Sequence, residues 1–284
     1  MTWYMNALSL IITTLVTLVP GLASLLGGVQ PSVPETIRRT IPWSATSHVF
    51  ELSNITGSVH LVAEDRSDVV VVATRTVEHT GSEPVPTLDF RQEGERVLVC
   101  GDSRLCGCHL DWSNDDRRRR GEDHTKVRVD FEVRLPKHAT LDVCTINGGT
   151  LKVEGSEGRY TLRNVNGDLE MVRVRGAGQA STVNGDLEAS FSAPPDAAAD
   201  FRTVNGHIDV SLPAALSADL RLKTMNGGLY TDFETTPLPA KPTTERRNGR
   251  FVYRADRYAS VRVGSGGPEL TFETLNGDVQ VRKR

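Results

Sequence analysis

Aromatic residues make up only 6% of this 284-residue chain, and its charges nearly cancel: 33 Lys and Arg face 36 Asp and Glu, a formal net charge of −3. A dedicated nucleic-acid binder carries a marked basic excess, so nucleic acid is not the expected partner. The chain has no Gly-rich phosphate loop, no Gly-x-Ser-x-Gly elbow and no His-Glu-x-x-His pair, which removes the commonest local signatures of nucleotide, serine-hydrolase and zinc-protease chemistry. Its seven histidines are scattered, although a triad assembled from distant residues needs no local motif. Disorder is excluded as well, because 38% hydrophobic residues plus 25 glycines approach the composition of a globular core. Recurring Val, Thr and Asn-Gly or Asp-Gly pairs favour short strands joined by tight turns over helical bundles.

Residues 7–26 carry no charge and include the run Leu8 to Val19 before Pro20 and Gly21. An apolar stretch of about 20 residues is long enough to span a bilayer, and Gly21 and Ala23 offer small residues for cleavage. Residues 1–28 are therefore expected to be a signal peptide or membrane anchor, followed by a linker over 29–45. No basic residue precedes the run, while Arg38 and Arg39 follow it, so orientation is weakly encoded. Cys100, Cys106, Cys108 and Cys144 form an even set suited to disulfides in an oxidising compartment. Cys106 and Cys108 are too close to bridge comfortably, which points to partners at Cys100 or Cys144. A metal cluster of Cys100, Cys106, Cys108 and His109 lacks the usual two-to-four-residue ligand gap, so no metal and no cofactor are expected.

The dominant feature is a repeated Thr-apolar-Asn-Gly tetrapeptide, with its asparagines at Asn147, Asn184, Asn205, Asn226 and Asn276. A sixth copy ending in Asn166-Gly167 carries Asn164 in place of Thr. The Asn spacings are 19, 18, 21, 21 and 50 residues, the last read as a repeat with an insertion. Each turn leads into an alternating segment such as Asp168 to Met171, whose period of two is that of a half-buried strand. Asn-Gly is also the strongest short hairpin signal, so an antiparallel meander competes. Repetition of the whole unit of about 20 residues favours copies stacked in register, an all-β, single-stranded β-solenoid. In that reading the apolar residue before each Asn and the Leu or Ile two residues after most of the Gly point inward. The six asparagines then form a structural ladder at steps of about 4.8 Å.

The domain is expected to span 46–284. Phe50 to Leu61 resembles a degenerate copy, and Asp68 to Thr74 reads as a buried starting edge. Polar insertions fall near 100–125 and 235–250. The first contains Arg117 to Arg120, a basic run flanked by Asp115, Asp116, Glu122 and Asp123 that reads as a solvated loop or an anion site.

The opening Leu52-Ser-Asn-Ile-Thr-Gly-Ser-Val59, the serial Thr-Val-Asn-Gly-Asp-Leu copies and the closing Gly264 to Val279 segment resemble the bacterial putative-adhesin family of exported β-strand repeat proteins. The resemblance covers about 46–284 and implies a right-handed β-helix-like solenoid of the cell envelope. The Cys100 to Cys108 segment and the Arg117 to Arg120 run depart from that pattern.

Two residues after each repeat Asn, the positions Asp168, Asp186 and His207 fall in one column, a candidate ligand or cation site. Stacked carboxylates can also act as an acid/base pair on a polysaccharide. The plainer role is a turn cap that accepts backbone N–H bonds. The expected function is a non-enzymatic, exported envelope protein, periplasmic, membrane-anchored or on the surface, which binds an envelope protein or polysaccharide. The alternatives are a polysaccharide-cleaving enzyme using Asp168 and Asp186, and a membrane-anchored envelope-stress or assembly accessory. Oligomeric state is left open, with Lys283 and Arg284 opposing end-to-end stacking by charge.

Overall fold

The computed structural model describes residues 33–44, 48–79, 84–103, 106–108, 125–240, 243–247, 250–254 and 258–284. The apolar segment 7–26, His109 and the Arg117 to Arg120 run lie outside the described residues. Among the described residues there is no helix, and 23 strands, numbered here in chain order, form two large mixed sheets and one small hairpin.

The repeat dictates how the chain crosses between the sheets. A strand in the second sheet runs into the Asn-Gly turn, crosses, and continues as a strand in the first sheet. One such crossing is a rung. The regular rungs are β8 (Thr140–Asn147) with β9 (Leu151–Glu154), β10 (Tyr160–Arg163) with β11 (Leu169–Val174), β12 (Gly178–Ser181) with β13 (Leu187–Phe191), and β14 (Ala199–Arg202) with β15 (Ile208–Leu212). Neighbouring rungs pair in parallel within both sheets, so equivalent positions stack in rows such as Leu151, Leu169, Leu187 and Ile208.

Beyond β14 and β15 the spatial order leaves the chain order. The next rung is the last in sequence, β22 (Glu269–Glu273) with β23 (Val279–Lys283). The rung made earlier, β16 (Ala218–Lys223) with β17 (Leu229–Thr231), lies outside it. The 50-residue gap is therefore a different event from an insertion within a sequential stack: the chain leaves a place and its carboxyl end fills it. Consequently Lys283 and Arg284 do not occupy the outermost strand of the first sheet, which is β17.

The amino-terminal side repeats the arrangement. The rung β2 (Val49–Thr56) with β3 (Val59–Glu64) lies between β8 with β9 and the later rung β6 (Arg96–Cys100) with β7 (Lys126–Pro136). Antiparallel strands finish the sheets. β4 (Asp68–His79) and then β1 (Glu35–Pro42) flank β7, and β5 (Asp89–Glu93) flanks β6. At the other end β21 (Ala259–Val263) and β18 (Thr235–Pro237) extend the second sheet past β16. The hairpin β19 (Thr243–Arg247) with β20 (Arg250–Arg254) forms the small sheet. Two expectations change here. Residues 35–42, read as linker, are the edge strand, and the Asp68 to Thr74 segment is covered on both sides. The Pro/Thr-rich stretch near 235–250 contains β18 and β19.

The core lies between the sheets as continuous rows: Leu52, Val143, Leu162, Ala180, Phe201, Phe272 and Leu222 are all buried on the second sheet. Phe201 stacks on Phe272 with centroids 5.1 Å apart and meets Phe191 edge-on at 6.0 Å. The expectation that the apolar residue before each Asn faces inward is corrected. Val183 and Val204 are 38% exposed, Leu275 39% and Met225 63%, whereas Thr145, Thr182, Thr203 and Thr274 are at most 4% exposed. The period-two alternation carries through Phe201 (in), Arg202 (out), Thr203 (in) and Val204 (out), and the threonine hydroxyl finds the half-buried Gly185 carbonyl as its partner.

Phe201→Ala should cost about 3–5 kcal/mol in a denaturation experiment, as a lost buried aromatic does. Thr203→Val should cost about 1 kcal/mol for its hydrogen bond. Val204→Ser should stay within about 0.5 kcal/mol, as exposed substitutions do. A Val204→Ser loss equal to that of Phe201→Ala would contradict the outward placement.

Candidate functional site

Each position of the repeat makes a bond between rungs. The buried threonines donate to the neighbouring rung's glycine carbonyl, Thr182 to Gly167 at 2.8 Å, Thr203 to Gly185 at 2.9 Å and Thr274 to Gly206 at 3.0 Å, and half-buried Thr224 gives the same bond to Gly277 at 2.9 Å. Asn164, standing where the other copies have Thr, gives its amide to Gly149 at 3.1 Å, so the variant copy performs the same task. The asparagines link Nδ2 to Oδ1 in spatial order Asn147, Asn166, Asn184, Asn205, Asn276 and Asn226, at 2.6–2.9 Å. Glycine is required beside them. At Gly206, with φ +158°, an added Cβ would run into the Gly185 carbonyl and come within 2.9 Å of the Asp186 carboxylate.

The structure brings Asp168, Asp186 and His207 into one column, extended by Asp278. Asp168 Oδ1 accepts the Asp186 N–H at 2.9 Å and Asp186 Oδ1 accepts the His207 N–H at 2.7 Å. His207 Nδ1 accepts the Asp278 N–H at 3.0 Å, which places the ring proton on Nε2, and Asp278 Oδ1 accepts the Gly228 N–H at 2.7 Å. One atom of each side chain thus serves the next rung's backbone.

Cys100 pairs with Cys106, and Cys108 with Cys144. The second bridge joins the segment after β6 to β8 across the intervening β2. Around it the Cys108 N–H donates to buried Glu51 at 3.3 Å and the Gly107 N–H to Ser53 Oγ at 3.2 Å.

The outer face of the second sheet holds a group that the sequence reading did not single out. Asp200 pairs with Arg202 at 2.7 Å, Lys223 pairs with Glu273, and Arg221 meets Glu269 at 3.5 Å. Tyr258 Oη donates to Glu273 at 2.6 Å, and the Arg221 guanidinium lies 4.4 Å from the Tyr258 ring centroid. Burial, and then the bond to Glu273, pushes the Tyr258 phenol up to about 12. Burial alone would raise Glu273, but bonds from Lys223 and Tyr258 outweigh it and hold the carboxyl below its ordinary value. Burial raises Asp200 despite Arg202 beside it. Next to this group is a hollow of about 480 Å³, lined by Arg159, Gln179, Ala198, Asp200, Thr271 and Glu269 among others. The alternation of Asp200-x-Arg202 and Arg221-x-Lys223 marks outward rows in the sequence. Their meeting with Glu269 and Glu273 depends on the rung order, which no local signal carries.

Fold and site together define an all-β protein of two large mixed sheets whose repeat side chains bind rung to rung. Residues 136–281, slightly more than half of the chain, match the family described as Toastrack DUF4097, and the chain belongs to that family. The matched region omits the amino-terminal rungs that the sequence resemblance had included. Among solved structures, a putative cell adhesion protein from Clostridium sporogenes is 11% identical, with 89% of this chain and 100% of that chain covered and a TM-score of 0.40. A putative adhesin from Bacteroides fragilis is 10% identical, with 90% and 100% covered and a TM-score of 0.33. No curated protein matches the chain significantly.

Tyr258 titrates late because its neutral form is favoured in the fold, so its stabilising contribution is present below about pH 10 and lost as pH rises towards 12. Tyr258→Phe should remove one late phenolate from a near-ultraviolet titration. Glu273→Gln should bring that phenolate earlier without restoring an ordinary value, since burial remains. A titration unchanged by both substitutions would contradict the contact.

Proposed function

We propose that this chain is a non-enzymatic cell-envelope protein whose residues 46–284 form a β-solenoid serving as an adhesive or scaffolding surface. Export is assigned to residues 1–28, read as a signal peptide or membrane anchor. The paired cysteines support an oxidising compartment. The observation that carries the reading is the commitment of the repeat's polar side chains to neighbouring rungs, which leaves the outward rows of both sheets to face a partner. Such rows present similar groups at intervals of about 4.8 Å, so weak contacts to an envelope polysaccharide or protein add through multivalency. The Asp168 and Asp186 carboxylates, which a glycan-cleaving mechanism would use, hold backbone amides.

The full chain, kept in detergent, should be retained on isolated envelopes and release no shortened glycan. The Asp168→Asn/Asp186→Asn double variant should lose stability but keep retention on the fraction that folds. Glycan release by the native protein that vanishes in the double variant would overturn the non-enzymatic reading, and absence of retention would overturn the adhesive one.

A further inference from the structure

The hollow on the second sheet arises from a gap in a row of long side chains. Arg159, just before β10, closes one end and Glu269, at the start of β22, closes the other. Between them the lining is small, with Gly178, Ala198 and Ala199, and the outward residues Gln179, Asp200 and Thr271 make the floor. The two ends are three rungs apart, about 14 Å at the strand spacing. A hollow of about 480 Å³ lies within the ~300–1,000 Å³ range of ligand clefts, and this one runs across the strands.

Its lining charges are unequal in availability. Arg202 is paired with Asp200 and Arg221 with Glu269. Arg159 is exposed and makes no side-chain bond or ion pair with any described residue. The Gln179 amide and the Thr271 hydroxyl likewise have no side-chain partner among the described residues. Along one side, Tyr258 is held between Glu273 and Arg221, so its position does not depend on a ligand. The raised Asp200 carboxyl is consistent with a partly dehydrated floor.

From this geometry we propose that the hollow binds one strand of a carboxylate-bearing polysaccharide, with a sugar carboxylate on Arg159 and ring hydroxyls on Gln179 and Thr271. The proposal deepens the adhesive reading and rests on it. A guanidinium offers a planar fork that matches a carboxylate with two hydrogen bonds, whereas an amide and a hydroxyl can both give and accept, as sugar hydroxyls require. A neutral glucan satisfies the floor but leaves Arg159 unused. A phosphate or sulfate ester matches Arg159 without requiring the floor.

The test uses the full chain in detergent, titrated calorimetrically with polygalacturonate oligomers, neutral dextran and inorganic phosphate. Polygalacturonate should bind, more weakly at higher salt, and dextran and phosphate should bind at least tenfold more weakly. Arg159→Ala, an exposed change that leaves the core untouched, should weaken polygalacturonate binding at least tenfold, Arg159→Lys less, and Gln179→Ala two- to fivefold. Circular dichroism of each variant should match the parent. Absence of polygalacturonate binding, or unchanged binding in folded Arg159→Ala, would overturn the site. Equal binding of inorganic phosphate would overturn its saccharide character. Retention on isolated envelopes, measured in parallel, separates the two ideas: retention that persists without polygalacturonate binding sinks this site alone, and loss of retention in the native protein sinks the adhesive reading.

Discussion

The hydrogen bond from a buried threonine to the glycine carbonyl of the neighbouring rung is the constraint on which the rest of this structure depends. A hydroxyl placed in an apolar interior without a partner is costly, and a backbone carbonyl left bare there is equally so. Thr182, Thr203 and Thr274 satisfy both groups with one bond, half-buried Thr224 repeats it, and together with the parallel backbone ladder that bond holds the two rungs close. Close approach then demands glycine at the turn, aligns the asparagines for their Nδ2 to Oδ1 chain, and carries the next backbone amide to Asp168 or Asp186. Asn164 shows that the requirement is for a donor at this place rather than for threonine itself.

The same constraint explains what could be read in advance. The repeat, its strand period and the column of Asn147, Asn166, Asn184 and Asn205 are local and periodic, so they were legible. Hydrophobicity alone gives the wrong facing at the turn. Val183 and Val204 look like core residues, but strand alternation gives the inward place to Thr182 and Thr203, whose hydroxyls are satisfied there. Rung order was illegible for a different reason. Val281 is equally suited to cover Val210 or to follow Thr231 outward, and only the fit of whole rungs puts it against both. The charged group around Tyr258 inherits that difficulty, since Glu273 meets Lys223 only after the last rung has moved inside.

Both ends of the domain sequence are thus held within the stack. At the amino-terminal side the Cys108 to Cys144 bridge spans the inserted strand β2 and ties its neighbours together. At the carboxyl side no bridge performs this role, and Thr274, Asn276 and Asp278 hold the final rung from its two faces. A stack closed in this manner holds its outer rows from both ends, and beside the hollow the Asp200–Arg202 and Arg221–Glu269 pairs are made within the fold, while Arg159, Gln179 and Thr271 keep their side chains open to it.

Amide hydrogen exchange across the last rung addresses the central claim most directly. The Asn276 and Gly277 N–H groups donate to Val204 on one side and Asn226 on the other, each at 2.9 Å. They should therefore exchange as slowly as those of Gly185 and Gly206 in the middle of the stack, although Gly277 is close to the carboxyl terminus in sequence. Rapid exchange over 269–283 alone, with Gly185 and Gly206 still protected, would mean that the terminal rung lies outside the stack, and the account would fail.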